Sequence, residues 1–340
     1  MMGSLFAELR HRVITKLEYG ERVIVDAPNL RREDRLGVAR LGLSAGVPVF
    51  YLICPDDTGG VETEAMSGEG VAEVVDARKA TLVPVAKGQP DLDAIRARWA
   101  GITVMGDVHG MHQSMLSAIS WADSRNHYLV FLGDVIDYGH GTLDASDEAY
   151  RRVMRGSATM ILGNHERKIS RWIAAVERNG RGEGVRLSDG NRVTTDRLAE
   201  LSHVDRNRWQ GRFRGLVAHA VPWRAFGDIV VAHASVHPGL WNNTASRREI
   251  EDYATYGEFE AGVEGSGSRS YSWVDHIPET KTAIVGHDIR STAAPFTQVN
   301  AQGSSGIFLD TGCGKSGPLS SVDLRFGPEG ELRVENFNMH

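Results

Sequence analysis

The chain has 340 residues, 41% of them hydrophobic, which suffices for a sizeable core and suggests about two domains. Its formal net charge of −6 excludes a globally basic nucleic-acid binder, though not a local basic groove. No stretch approaches the roughly 20 apolar residues of a membrane span, the opening MMGSLFAELRHRV lacks the apolar core of a secretory signal, and two distant cysteines, Cys54 and Cys313, make no disulfide framework. The expectation is a cytoplasmic protein with no membrane partner.

In chain order, residues 4–18 place Leu5, Leu9, Val13 and Leu17 four apart, the spacing of an amphipathic helix. RVIVDAPN is a short apolar run ending at a Pro-Asn turn signal and predicts a buried strand. REDRLGVARLGLSAG predicts a helix closing near Gly46, and VPVFYLIC a second buried strand. Alternation of helix and strand predicts a small α/β unit with parallel strands. Residues 55–70 are acidic and Gly-rich, hence a loop; residues 70–85 predict a hairpin or edge strands. DLDAIRARWA predicts a short helix, and the domain boundary is placed just after it, giving domains 1–98 and 99–340.

From Gly101 short apolar strands end in Gly-Asp, Gly-Asn or His: ITVMGD, YLVFLGD, ATMILGN, DIVVAH, TAIVGH and GIFLDTG. Their polar tails predict a cluster of metal-ligand types on one rim of a sheet. Helices are expected at HQSMLSAISWADS and ERKISRWIAAVER, and polar, Gly-rich loops at residues 178–197 and 241–270.

Three motifs follow one another about 30 residues apart: Gly106-Asp107-Val108-His109-Gly110, Gly133-Asp134-Val135-Ile136-Asp137-Tyr138-Gly139 and Gly163-Asn164-His165-Glu166. His233 and His287 follow two later strands. Carboxylate, imidazole and amide oxygen together suit Mn, Fe, Zn or Ni, and ligand softness does not choose among them.

These motifs and their order resemble the calcineurin-like metallophosphoesterases, within them the phosphoprotein-phosphatase branch. The resemblance implies an α/β fold: a sandwich of two mixed sheets flanked by helices, with the site at the strand ends. It implies two divalent ions, Mn2+ being the expected metal and Ni2+, Fe2+ or Zn2+ the alternatives. Asp107 and His109 would hold the first ion, Asp134 would bridge both, and Asn164, His233 and His287 would hold the second. His165 would be the general acid and Asp137 its orienting carboxylate. Two ions about 3.5–4 Å apart can acidify a water and clamp the attacking and leaving oxygens of a phosphate ester, and an imidazole beside a carboxylate stays protonated near neutral pH.

NHERKISRWI, VVAHAS, the run Tyr256-Gly257-Glu258 with Gly265, Arg269 and Trp273, and LDTGCGKSGPLSSVDLRF are similar to the phosphatase domain of bacterial polynucleotide kinase-phosphatases. Residues 20–55 resemble the later part of a P-loop kinase domain. No P-loop precedes them, so that piece is expected to be a degenerate kinase remnant without kinase activity. Gly314-Lys315-Ser316 is read as a decoy, because position 309 is Leu rather than Gly. Tyr138 departs from the resemblance, which implies Arg there as a phosphate clamp. Tyr keeps a hydrogen-bond donor but loses the charged fork. Arg269 is the expected substitute, with Arg167 and Lys168 behind it.

The leading expectation is a phosphatase acting on RNA or DNA ends, at a 3′-phosphate or 2′,3′-cyclic phosphate. A serine/threonine protein phosphatase and a mononucleotide or dinucleotide phosphohydrolase share the same metal site. A non-catalytic docking module is the competing class. Oligomeric state is not legible.

Overall fold

The structure, a computed structural model, describes residues 91–242, 244–259 and 269–340, together with Val13, Arg40, Leu41 and two strands of the N-terminal part. The helices expected at residues 4–18 and 32–46 and the strand expected at 22–29 lie outside the described residues, apart from those three positions. So does most of the kinase-like stretch.

The chain forms two compact units, residues 1–88 with 203–215, and residues 89–202 with 216–340. In the first, β1 (Phe50–Ile53) occupies the strand expected from VPVFYLIC. It pairs in parallel with β2 (Glu73–Asp76), from Phe50 opposite Glu73 to Ile53 opposite Asp76. Parallel pairing rules out a tight hairpin between them and requires the long connection that the sequence supplies.

The second unit starts earlier than the expected boundary. Helix α1 (Leu92–Arg98) is capped by Asp91, whose Oδ1 accepts from the Ala94 amide at 2.7 Å. Its Ile95 is fully buried in the core of the second unit. The physical reason is the single apolar stripe of this short helix, which must be covered by a sheet to be stable.

Two five-stranded sheets form the frame of this unit. The first has the order β14–β13–β3–β4–β5, built from β3 (Gly101–Met105), β4 (His127–Phe131), β5 (Ala158–Met160), β13 (Ser320–Phe326) and β14 (Leu332–Met339). The second has the order β11–β12–β10–β7–β6, built from β6 (Trp223–Phe226), β7 (Ile229–Ala232), β10 (Thr282–Val285), β11 (Phe296–Val299) and β12 (Ser305–Phe308). Strands β3, β4 and β5 are parallel, as are β7, β10 and β12; β13 is antiparallel to both β3 and β14, β11 to β12 and β6 to β7, so both sheets are mixed.

Period-two alternation decides what each strand faces. Ile102, Val104, Tyr128, Val130, Val322 and Leu324 of the first sheet share one buried cluster with Ile229, Val231, Ile284 and Ile307 of the second. The intervening Val230, Ala232, Ala283, Val285 and Phe308 pack on the opposite face against Trp273, Val274 and Ile277. The result is the expected sandwich. The short strands β8 (Glu258–Phe259) and β9 (Arg269–Ser270) pair separately.

Helices α2 (His112–Ser124), α3 (Thr142–Met154) and α4 (Asn164–Asn179) follow the first three strands, and the expected segments at 112–124 and 166–178 are helical. The two expected loops contain helices instead. Within 178–197, α5 (Asp189–Glu200) begins with a capping box between Ser188 and Asn191. After it come α6 (His203–His219), α7 (Pro238–Asn242) and α8 (Arg247–Tyr256). Helix α8 opens on a second capping box, Ser246 with Glu249, a Ser-x-x-Glu signature present in the sequence.

Asp323 anchors a buried polar network at the middle of the first sheet. Its Oδ1 accepts from Thr103 Oγ1 at 2.7 Å, and its Oδ2 accepts from Trp121 Nε1 at 2.9 Å and Asn338 Nδ2 at 3.1 Å. His127 Nδ1 completes the set 3.6 Å away. Burial alone would raise the Asp323 pKa, but these donors outweigh it and hold the carboxyl at about 2. A depressed folded pKa stabilises above the unfolded value near 3.9 and loses that contribution as pH falls through about 2. Urea unfolding should therefore show Asp323→Asn less stable by about 2 kcal/mol at pH 7, the gap closing between about pH 4 and 2. An unchanged gap at pH 2 would exclude the carboxylate as its source.

Candidate metal centre and acid pair

The six strands deliver their polar tails to one place. Close packing there explains the glycines that directly precede Asp107, Asp134, Asn164 and His287. A Cβ on Gly163 would lie 2.2 Å from Asp134 Oδ1, and one on Gly286 would lie 2.1 Å from Asp107 Oδ1. The backbone is also bent into the left-handed region at His109 (φ 46), Asp134 (φ 49), Asp137 (φ 75), Tyr138 (φ 59) and His287 (φ 67). Such conformations cost on the order of 1–3 kcal/mol each in non-glycine residues and gather where side chains must be aimed at a site.

Asp134 stands at the centre. One group of ligand atoms comprises Asp134 with His109 and His165, and another comprises Asp134 with His233 and His287; within each group the atoms lie within 4.8 Å of one another. Asp107 adjoins both: its Oδ2 is 3.9 Å from His109 Nε2, and its Oδ1 accepts from the His287 amide at 3.0 Å. Asn164 Oδ1 lies 2.9 Å from His233 Nε2, and His233 Nε2 lies 3.4 Å from Asp134 Oδ2. The expected ligands Asp107, His109, Asp134, Asn164, His233 and His287 thus come together, with His165 beside them.

Tautomers follow from the outer hydrogen bonds. His109 Nδ1 donates to the Ile136 carbonyl at 3.2 Å, and His233 Nδ1 donates to the Leu132 carbonyl at 2.8 Å. Each ring then aims the lone pair of Nε2 inward, an orientation set by the partner of the other nitrogen. His109 Nε2 and His287 Nε2 are buried and have no hydrogen-bond partner. His233 Nε2 faces the acceptor oxygens of Asn164 and Asp134. A nitrogen facing oxygen acceptors needs a proton or a metal ion between them.

The electrostatics say the same. Burial pushes His109 down to about 3, and burial with the neighbouring His233 pushes His287 down to about 2. Both are neutral at pH 7, the form that binds metal. Burial disfavours a charged His233, yet Asp134 and Asp107 overcome it and lift its pKa to about 10, so the pocket calls for positive charge at that nitrogen. Burial and Asp310 raise Asp107 well above the usual carboxylate range. Asp134 is pulled well below that range despite burial, chiefly by His233 and His165. An imidazole, carboxylate and amide donor set with orphaned buried nitrogens fits borderline divalent ions.

His165 and Asp137 form a pair beside this cluster. His165 Nδ1 donates to Asp137 Oδ2 at 2.5 Å, and its Nε2 points toward Asp134 Oδ2 at 3.7 Å. Burial lowers the His165 pKa, but Asp134 and Asp137 together raise it above its ordinary value. Asp137 is locked in place: Asn191 Nδ2 donates to its Oδ2 at 2.5 Å, Thr194 Oγ1 to its Oδ1 at 2.5 Å, and its amide donates to Thr142 Oγ1 at 2.9 Å.

Sequence reading assigned no role to several of these residues. Glu166 is fully buried, and its carboxylate accepts from the amides of Asp134 at 2.8 Å and Val135 at 2.9 Å, holding the strained turn. Burial and Asp134 lift its pKa to about 7. Asn191 and Thr194 sit three apart on α5, a spacing legible only once that segment is known to be helical. Asp310 is buried, with an unpartnered Oδ2, close enough to act on Asp107.

The expected substrate residues divide. The Tyr138 ring packs against His109 at 4.7 Å and His165 at 5.6 Å. Arg269 lies at the rim, its Nε 2.8 Å from Asp288 Oδ1 and its Nη1 donating to the Tyr256 carbonyl at 2.8 Å. Arg167 turns away to Asp252 at 3.3 Å and to the Tyr256 ring. The cation that does approach is Lys315, set aside as a decoy: its Nζ stands 4.8 Å over the Tyr138 ring, and its charge helps depress His109. Gly314 makes this possible by packing on His109, where a Cβ would come within 2.6 Å of the His109 Cβ.

Residues 101–288 match the family profile described as calcineurin-like phosphoesterase. Similar curated proteins include the bis(5′-nucleosyl)-tetraphosphatase PrpE [asymmetrical] of Halalkalibacterium halodurans, 25% identical over 244 residues, covering 67% of this chain and 91% of that protein. The protein of the same name from Bacillus velezensis is 24% identical over 176 residues, covering 48% of this chain and 67% of that one. Among solved structures, a metallophosphoesterase from Sphaerobacter thermophilus aligns with a TM-score of 0.41 at 15% identity, covering 71% of this chain and 88% of that one.

Proposed function

This chain belongs to the calcineurin-like phosphoesterase family and is a metal-dependent phosphoesterase; we propose that it hydrolyses dinucleoside polyphosphates, with two divalent ions held around Asp134. The observation that carries the two-ion reading is the sharing of Asp134 between two ligand groups. The relatives' names support the nucleotide substrate: they are called bis(5′-nucleosyl)-tetraphosphatases. On the strength of those names we rank the dinucleotide alternative ahead of the polynucleotide end read from the motifs alone.

In this reading Asp107 and His109 would hold one ion, Asn164, His233 and His287 would hold the other, and Asp134 would serve both. When bound, the ions supply an acidified water and neutralise charge on the phosphoryl oxygens. Mn2+ is the proposed metal. His165, whose hold on a proton Asp134 and Asp137 strengthen, donates from Nε2 to the leaving oxygen. Asp137 fixes the ring, and Asn191 and Thr194 fix Asp137. Lys315 and the Tyr138 hydroxyl face the phosphate chain and take the place of the missing arginine.

The test compares diadenosine tetraphosphate, a 3′-phosphorylated oligonucleotide and a phosphoserine peptide with Mn2+ present. Diadenosine tetraphosphate is expected to lead by at least about tenfold in kcat/KM, equivalent to about 1.4 kcal/mol of transition-state discrimination. Preference for the oligonucleotide would restore the end-phosphatase reading, and preference for the peptide the protein-phosphatase one. EDTA treatment should abolish turnover of all three and Mn2+ should restore it; EDTA-resistant activity would refute metal dependence.

A further inference from the structure

We propose that a basic cavity beside α5 is the subsite for the second nucleoside phosphate of the substrate, an inference that rests on the dinucleoside polyphosphate reading above. The cavity has a volume of about 750 Å³, within the size range of small-molecule sites. Lys168, Arg181, Arg186 and Arg192 line it with one carboxylate, Asp189, and one aromatic ring, Trp172. In a chain of net charge −6, such an excess of cations in one hollow is a local feature, not a reflection of composition.

Those cations are weakly neutralised. Arg181 reaches Glu183 only at 3.8 Å and Arg192 reaches Asp189 only at 3.9 Å. Among the described residues, neither Lys168 nor Arg186 pairs with an acid. An open, positively charged hollow with a half-buried indole suits a ligand that carries several negative charges and a flat base.

The cavity is joined to the reaction site by two elements. His165, Lys168 and Trp172 lie three and four residues apart on α4 and so share one face of that helix. At 1.5 Å per residue the face runs about 10 Å from the acid to the indole, with a cation between them. That length matches a short phosphate chain followed by a nucleoside. The second element is α5, whose first turn supplies Asp189 and Arg192 to the cavity. The two residues between them turn to the site: the Gly190 carbonyl accepts from the Tyr138 amide at 3.1 Å, and Asn191 binds Asp137. One wall thus serves both. A phosphate chain leaving His165 along α4 enters the cavity, where Lys168, Arg186 and Arg192 meet its charge and Trp172 meets the base.

The test measures diadenosine tetraphosphate and para-nitrophenyl phosphate, the latter too small to reach the cavity, under the same Mn2+ conditions. The exposed double substitution Arg186→Gln/Arg192→Gln should raise KM for diadenosine tetraphosphate by about tenfold or more. It should lower the ratio of kcat/KM for the two substrates by a similar factor. Arg325→Gln/Arg333→Gln, which removes the same charge from β13 and β14 at the opposite end of the first sheet from β5, should leave that ratio within about twofold. Binding of ATP and of inorganic tripolyphosphate is followed by calorimetry: Trp172→Leu should weaken ATP and spare tripolyphosphate, while the arginine pair should weaken both. An unchanged KM with diadenosine tetraphosphate turned over normally would overturn the subsite and leave the function standing. If the wild-type protein cleaves para-nitrophenyl phosphate but not diadenosine tetraphosphate, the function reading fails instead. ATP binding then decides the subsite: loss in the arginine variant supports it, and equal binding, or none in the wild type, overturns it.

Discussion

Replacing Asp134 with asparagine is expected to lower kcat by about a thousandfold or more, a loss of about 4 kcal/mol of transition-state stabilisation, while leaving the fold intact. Asparagine is the informative substitution because two jobs of the residue survive it. Its φ of 49 is a conformation that asparagine tolerates better than most residues, and its Oδ1 can still accept from the His165 amide, now at 3.0 Å. Glu166 still holds the amides of Asp134 and Val135. What disappears is the negative charge shared by both ligand groups. Metal analysis of the purified variant should fall from about two ions per chain toward one or none, since charge at a bridging position favours both ions. Alanine at the same position should match that loss of activity and also lower stability, because it meets left-handed strain without the amide acceptor. An asparagine variant that kept two ions and more than a tenth of the activity would refute the bridging role.

Much of this centre was legible because its signals are local. A strand of four or five apolar residues that stops at Gly-Asp, Gly-Asn or Gly-His announces both the sheet and the rim. The glycine is demanded by contacts as close as the 2.2 Å that a Cβ at Gly163 would make. Asp107, Asp134, Asn164 and His287 carry that signature; His109 lies two residues beyond Asp107, His233 follows Ala232, and the six come together.

What escaped was mostly carried by polar residues in helices that do not look helical. Helix α5 opens Asp189-Gly190-Asn191, a turn-like composition, yet it is held by a capping box and by the buried Asn191, Thr194 and Leu198. The tertiary demand of Asp137 for two donors overrides weak propensity there. Lys315 escaped for a different reason. Its neighbours Gly314 and Ser316 suggested a phosphate loop and, once that was dismissed, nothing in the sequence said the turn would close over Tyr138. The unit boundary moved for a third reason: Ile95 of a seven-residue helix is buried in the sandwich core, and burial of one side chain is not readable from spacing over so short a segment. Substrate class was the least legible level, because phosphate esters of every kind ask the same of the metal ligands and differ only at surfaces such as the cavity beside α5.

His165→Ala should separate bond cleavage by the basicity of the departing oxygen. With an alkyl phosphate, kcat is expected to fall by about a hundredfold to a thousandfold, the usual contribution of a positioned general acid. With para-nitrophenyl phosphate the loss should stay below about tenfold, because that leaving group departs without a proton. Diadenosine tetraphosphate should behave like the latter, since a nucleoside polyphosphate is a far weaker base than an alkoxide. The geometry behind this is the short Nδ1 contact to Asp137 at 2.5 Å, which orients Nε2 toward the Asp134 side and raises the ring's pKa. Asp137 in turn owes its position to Asn191 and Thr194, so Asn191→Ala should reproduce the same ordering of substrates at about a tenth of the effect. A merely structural residue would depress all substrates alike. Equal losses across the three leaving groups would therefore remove His165 from the proton transfer and leave it a hydrogen-bonding neighbour of Asp134.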